Sequence, residues 1–274
     1  MNKIQPTPNH QSPIPNPQPL TAITRRVSPT LNHCELSFHE RRPIDVTKAI
    51  EQHESYQRLL SELGLRILEL AAEPDLPDSV FVEDPAVVVD EVAVISRMGA
   101  ISRRPEADSL AQELSKYRRL EFLTEPATLD GGDVMRIGKL VFVGESARTN
   151  HDGVKQLSRI LRPYGYEVRS VAVTGCLHLK SATSYVGGNR LLVNRPWIDS
   201  HALNEFELID VPMEEPNAAN ALLVDGVVVL PKSFPKMRAL LEQRGVITRE
   251  VDVTELQKAE GGVTCCSLIF NIPQ

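Results

Sequence analysis

Five short polar motifs divide the chain at nearly even intervals, and this limits the folds open to it more than any other feature. They are Glu83-Asp84, Asp130-Gly131-Gly132-Asp133, His178, Asn217-Ala218-Ala219-Asn220 and Gly261-Gly262-Val263-Thr264-Cys265. A spacing of roughly 40 to 48 residues is that of a repeat architecture, in which each unit is one supersecondary module. A helical stretch and a strand precede each motif, and a short apolar hairpin follows most of them. In the first unit the apolar positions Ala49, Ile50, His53, Tyr56, Leu59, Leu60 and Leu63 predict a helix that Gly64 ends. Leu65 to Leu70 then reads as a strand, and Val80 to Ile95 as a hairpin around Asp90-Glu91.

The same order returns four more times. Helices are expected from Glu106 to Tyr117, from Asn150 (as cap) to Tyr164, near Asp199 to Glu205, and after Ser233 (as cap) with Pro235 in the first turn. Strands are expected at Leu120–Leu123, Tyr166–Val173, Leu208–Val211 and Val246–Val253, and a hairpin turning at Asp225-Gly226. About five modules fill the chain, so the reading is an α/β fold, a five-bladed propeller of ββαβ units. The last unit lacks a strand that Ala22–Val27 could supply, closing a ring and bringing all five motifs to its centre. An open α/β sheet with incidental spacing is the competing reading.

At 274 residues and 42 % hydrophobic content, the chain can bury a sizeable core in one closed α/β unit. A net charge of −6 argues against nucleic acid or an anionic membrane surface as partner. No run of about twenty apolar residues predicts a membrane-spanning helix. Four cysteines, two of them adjacent, are a poor disulfide framework and fit a reducing, cytoplasmic setting. Residues 1–20 contain six prolines and no apolar signal core. They read as a disordered or polyproline-like tail before a single domain at 21–274.

The motifs together carry one thiol, one imidazole and a surplus of carboxylates. A free thiol is only slightly ionised near neutrality, so a nucleophilic cysteine needs a cationic neighbour or substrate. The clustered carboxylates would repel one another unless a cation joined them, which points to a cationic substrate. If the run after Gly262 is a strand, its alternation places Cys266 with Leu268 and Phe270 in the core and Cys265 on the more open face. The blander reading makes both cysteines small buried hydrophobes. His178, between Leu177 and Leu179, would likewise be a hydrogen-bonded structural residue, and Arg103-Arg104 and Arg148 solvated basic turns. No Cys/His spacing resembles a structural zinc site, so neither a metal nor another cofactor is expected.

Six segments in order resemble one known family. They are Phe81-Val82-Glu83-Asp84-Pro85, Gly99-Ala100 with Ser102-Arg103-Arg104 and Glu106, Leu129 to Asp133, Gly144-Glu145-Ser146 with Arg148-Thr149-Asn150, Leu177 to Lys180, and Gly261 to Cys265. From about residue 22 to 270 the chain is similar to the dimethylarginine dimethylaminohydrolases, enzymes of the pentein fold. The resemblance implies hydrolysis of Nω-methylated arginines to citrulline and an amine. Cys265 would be the nucleophile, His178 the general acid and base, and Asp130 its orienting partner. Asp84 with Glu83 would hold the guanidinium nitrogens, Arg103 and Arg148 the substrate carboxylate. Asp78 and the backbone of Ala259 would take the α-amino group, under a lid carrying Leu36. The partner is then a small molecule, and the protein a monomer or homodimer. Other guanidino-modifying penteins, such as deiminases and amidinotransferases, share this logic. A non-catalytic pentein that binds a macromolecule would have no need of Cys265, His178 and Asp130 together.

Overall fold

The computed structural model describes residues 20–272, so the expected tail lies, up to residue 19, outside the described residues. The first strand, β1 (Thr21–Arg25), is followed by α1 (Val46–Glu62) and β2 (Arg66–Leu70). The next unit is β3 (Ala86–Val88), β4 (Val92–Ile95), α2 (Glu106–Leu114) and β5 (Arg119–Phe122). Then come β6 (Val134–Ile137), β7 (Leu140–Glu145), α3 (His151–Leu161) and β8 (Glu167–Ala172). The short α4 (Leu179–Ala182) leads into β9 (Thr183–Tyr185), β10 (Arg190–Val193) and β11 (Glu207–Asp210). The chain finishes with β12 (Leu222–Val224), β13 (Val227–Pro231), α5 (Pro235–Gln243), β14 (Ile247–Val251), α6 (Thr254–Gln257) and β15 (Leu268–Phe270).

These strands form five three-stranded sheets of one pattern. Four are consecutive in the chain: an antiparallel pair, then a third strand parallel to the second, as in β3-β4-β5. The fifth joins the two ends, because β15 pairs antiparallel with β1 in the register Thr21↔Phe270 and Ile23↔Leu268, and β2 runs parallel to β1. The amino-terminal run therefore closes the ring, contributing the middle strand of the closing sheet rather than its last.

Packing repeats around the ring. Each connecting segment is wedged between its own sheet and the preceding one. The α2 residues Leu110 and Leu114 pack among Ile23, Leu268 and Phe270 of the closing sheet and Ala93 and Ile95 of β4. The α3 residues Val154, Leu157 and Leu161 pack between the strands of the second and third sheets. Met237 and Leu241 of α5 lie between β10–β11 and β13, and Tyr56, Leu59 and Leu60 of α1 reach Val224, Val229 and Val251. A side chain of this size, fully buried, contributes roughly 1.5–3 kcal/mol. Neighbouring sheets also touch through their first strands, β15 with β3, β6 with β9 and β9 with β12. The first strands thus line the axis, and the loops that precede them bring the polar motifs to one end of it.

Local sequence explains several element ends. Asp45 caps α1 by accepting the Lys48 N–H, and Asn150 caps α3 by accepting the Gly153 N–H. Asp225 (φ 44°) and Gly226 (φ 81°) make the left-handed turn between β12 and β13. Four expectations are corrected. Ile50 is 39 % exposed, because the buried stripe of α1 runs through Gln52 and His53 instead. Ser233 does not cap α5; its hydroxyl bonds Gln257, and the helix opens at Pro235 after Phe234. The stretch near 199–205 is a 3₁₀ turn, Ser200–Leu203, not an α-helix. The chain from Gly262 to Ser267 is a turn, not a strand, and alternation begins only at Leu268.

Candidate active site

His178 lies immediately before α4, at its N-terminal boundary, and is 4 % exposed. The apolar alternation expected around it is absent, because Leu179 opens a helical turn. Two neighbouring motifs hold the ring. Its Nε2 is 3.1 Å from Asp130 Oδ2, and its Nδ1 is 3.8 Å from Asp84 Oδ1. Asp130 is itself positioned by the Gly99 N–H, which donates to its Oδ1 at 2.8 Å. Asp133 accepts from Ser146 and Thr149 at 2.7 Å and from the Leu179 N–H at 2.8 Å, tying α4 to the loop that carries Arg148.

The glycine pair between the aspartates is required by closeness. A Cβ on Gly132 would stand 2.5 Å from His178 Nδ1 and 2.8 Å from Asp84 Oδ1. A Cβ on Gly131 would stand 1.9 Å from the Glu83 carbonyl oxygen. With no side chain there, the Gly132 N–H donates to Asp84 Oδ1 at 3.0 Å.

Cys265 sits in the turn before β15. The Gly262 N–H donates to its sulfur at 3.3 Å, and its carbonyl accepts the Glu83 N–H at 3.2 Å. The fully buried Tyr56 of α1 holds the turn from beneath, its hydroxyl 2.8 Å from the Val263 carbonyl and 2.7 Å from Ser267 Oγ. Cys265 is half-buried and Cys266 is 0 % exposed, as the alternation argument required. The reason differs: Val263 and Ser267, which strand alternation would put on the same face as Cys265, are buried, and the turn rather than a pleat presents Cys265.

Glu83 and Lys180 form an ion pair on the axis, and Thr264 Oγ1 donates to the other Glu83 oxygen at 3.0 Å while accepting from Asn220 Nδ2 at 2.9 Å. Lys180 is therefore a half-buried ion-pair partner. Glu83, Lys180 and Thr264 also line an axial cavity of about 370 Å³ whose walls come from β3, β6, β9, β12 and β15.

Arg103 is 4 % exposed. Its NH1 bonds Asp84 Oδ2 at 2.7 Å, while its Nε and NH2 both bond Glu106 at 2.9 Å. Arg148 sends NH2 to Ser37 Oγ at 2.9 Å and lies with NH1 3.8 Å from Asp130 Oδ2. That NH1 makes no hydrogen bond among the described residues. Asp78 accepts the Glu35 N–H at 3.0 Å, and Leu36 packs against the same apolar cluster as Cys265. Ala259 is buried, and Glu260 beside it adopts φ 59°. The Glu260 carboxylate accepts the Ser37 N–H at 3.0 Å and the Phe38 and His39 N–H groups at 2.6 Å. The structure therefore gathers every candidate into one region at the end of the axis. Sequence reading named Tyr56 as a helix position, Asn220 as a motif residue and Glu106 in a family segment, but gave none of them, nor Glu260, the role the structure shows.

Burial disfavours charge on His178, but Asp84, the Asp130 hydrogen bond and Asp133 outweigh it and raise its pKa to about 9. Burial would raise Asp84, but His178 and Arg103 hold it down to about 2. Burial, with Glu83 and Asp84 nearby, pushes the Cys265 thiol up to about 12. At neutral pH the unliganded site thus holds an imidazolium and a protonated thiol. Asp84, Asp130 and His178 place donor atoms within 4.8 Å of one another, the arrangement a metal ion would need. Arg103 and the charged imidazole already neutralise those carboxylates, so this donor set does not call for a cation.

A thiol, a carboxylate-held imidazole and excess carboxylates at the centre of five repeated α/β sheets define a class, the axial-site penteins that act on guanidino groups. The sequence model described as "N,N dimethylarginine dimethylhydrolase, eukaryotic" matches residues 19–272, and the chain belongs to the dimethylarginine dimethylaminohydrolase family. The N(G),N(G)-dimethylarginine dimethylaminohydrolase of Streptomyces coelicolor is 38 % identical over 90 % of this chain and 95 % of its own. That of Pseudomonas aeruginosa is 36 % identical over 85 % and 92 %. The solved structure of a cysteine-to-serine variant of the Pseudomonas aeruginosa enzyme, complexed with citrulline, superposes with TM-score 0.87. It is 34 % identical and covers 91 % of this chain and 98 % of that one. The amino-terminal domain of the cyanobacterial arginine dihydrolase ArgZ, 19 % identical, shares the fold with TM-score 0.80 over 93 % of this chain and 99 % of that one.

Proposed function

We propose that this protein hydrolyses Nω,Nω-dimethylarginine and Nω-monomethylarginine to citrulline and dimethylamine or methylamine. The observation that carries the reading is the orientation of His178. Asp130 occupies Nε2, so Nδ1 is left as the group that faces Asp84 and can exchange a proton.

The electrostatics supply the order of events. A guanidinium entering beside Asp84 neutralises the field that holds the Cys265 proton, which leaves to solvent. The thiolate then attacks the guanidinium carbon. The His178 imidazolium gives its Nδ1 proton to the departing amine as the C–N bond breaks, leaving a thiouronium on Cys265. Neutral His178 next takes a proton from water, the hydroxide adds to the same carbon, and as the C–S bond breaks the adduct's hydroxyl proton passes to the departing sulfur, which releases citrulline and restores the thiol. Acid–base help of this kind is worth roughly 10²–10⁴-fold. Asp84 is the carboxylate for the guanidinium; Glu83 supports it from the Lys180 pair. Arg148 and Arg103 take the substrate carboxylate, Asp78 and the Ala259 backbone the α-amino group, and Leu36 covers the pocket.

No metal or other cofactor is needed for these steps. All the groups come from one chain, so a monomer and a homodimer would each carry complete sites. No helix among the described residues is long and apolar enough to cross a membrane. All four cysteines are free, which supports a reducing, cytoplasmic compartment. The test is turnover of dimethylarginine, monomethylarginine, arginine and agmatine by the purified protein, with assay of ureido product and released amine. Dimethylamine released in step with citrulline supports the reading; turnover of arginine alone overturns it in favour of a deiminase.

A further inference from the structure

Arg103 is already engaged by two carboxylates. A guanidinium has five N–H donors in one plane. Glu106 takes the Nε and NH2 edge with two bonds of 2.9 Å, and Asp84 takes one NH1 proton at 2.7 Å. One N–H on each terminal nitrogen remains, and those are the only donors Arg103 can offer a ligand. Which way they point is decided by the edge that Glu106 grips, since a fork-to-fork pair fixes the plane of both partners.

Glu106 has little other use. Its carboxylate is 2 % exposed, stands in the first turn of α2, and among the described residues its side chain hydrogen-bonds only Arg103. A buried carboxylate–guanidinium pair is costly to desolvate, and a leucine at such a helix position would stabilise as well or better. The pair therefore acts on the site rather than on stability. Arg104, its neighbour in sequence, is spent on the Met98 carbonyl at 2.9 Å and cannot substitute.

We propose that Glu106 is a positioning residue for substrate selection. By holding the Nε edge of Arg103, it keeps the two unused N–H groups in place for a substrate α-carboxylate and so sets the preference for amino acids over decarboxylated analogues. This rests on the methylarginine reading above. Glu106 touches no substrate and acts through Arg103. Without it, Arg103 swings toward Asp84, the carboxylate it still bonds, and the unused donors turn with it.

The experiment compares Nω,Nω-dimethylarginine with Nω,Nω-dimethylagmatine, which has the same guanidinium and no carboxylate, for the wild type and Glu106→Gln. Assays run at pH 8, above the value of about 7 to which burial raises Glu106 against the pull of Arg103. Glu106→Gln is expected to raise KM for dimethylarginine about tenfold or more, the scale of one lost charge-assisted bond. It should change KM for dimethylagmatine far less, so that discrimination shrinks. Adding Glu106→Gln to Arg103→Lys should cause no further loss, because the two act as one unit. Equal loss on both substrates, no loss on either, or multiplicative losses in the double variant would overturn the proposal. If Glu106→Gln does not fold, Glu106→Asp, which keeps the charge one methylene shorter, is read the same way. Failure of the wild type to release dimethylamine from either substrate would instead refute the functional reading.

Discussion

At the residue scale, the two adjacent cysteines separate completely. Cys266 is 0 % exposed and its sulfur donates to the Gly262 carbonyl at 3.5 Å. Cys265→Ser should abolish turnover by about 10³-fold or more, while Cys266→Ser should keep most activity, as steady-state citrulline formation will show. His178 carries a pH signature as well. Its folded pKa of about 9 lies above the ordinary 6.5, so the stabilisation it brings is fully present below 6.5. It is lost as pH rises through 9. In thermal melts at pH 6 and pH 9.5, the wild type should lose more stability on that rise than His178→Asn. An equal loss in the two proteins would mean that His178 is not held charged by Asp84 and Asp130. Asp130 and Asp84 were readable as acidic motif residues. That they take opposite nitrogens of one ring was not, because it depends on where three loops meet.

At the element scale, the loop at 35–39 and the turn at 261–267 border the site, and the turn departs from sequence expectation. The parity argument chose the right cysteine from a wrong element. Its premise was a strand, whereas Tyr56 and the Gly262 N–H shape a turn whose contacts come from α1 and from the Glu83 loop. The loop is held by Glu260, which is tolerated at φ 59° while three successive N–H groups converge on its carboxylate. Glu260→Ala should speed hydrogen exchange at Ser37, Phe38 and His39 by about tenfold, with α1 unchanged. Unaltered exchange would show that other contacts hold the loop. Gly132→Ala, which drives a methyl group into His178, should cost far more activity than stability; a fully active variant would disprove the close approach.

At the scale of the whole molecule, the ring is closed by three β1–β15 register pairs between the ends of the described chain. Each helix then has a preceding sheet to pack on, including α2, which rests on the closing sheet. Truncation after Ser267 should therefore lower thermal stability and abolish activity together, seen as one shifted unfolding transition and loss of citrulline formation. Survival of activity would mean that closure is dispensable. The ordinary amphipathic pattern made the units legible, and five evenly spaced motifs made the ring legible.

The sequence by itself determined the number of units, the order of helix and strand in most of them, the lack of a disulfide framework, and the residue types that can do chemistry. Those are local matters of periodicity, capping and composition. Only the tertiary structure decided that Glu106 grips Arg103, that Lys180 neutralises Glu83 on the axis, and that Asp130 turns His178 so that Nδ1 faces Asp84. The physical reason is range. Helix and hairpin patterns act over a few residues, whereas charge pairing and hydrogen bonding in the site join residues from separate units, and only ring closure brings those units together.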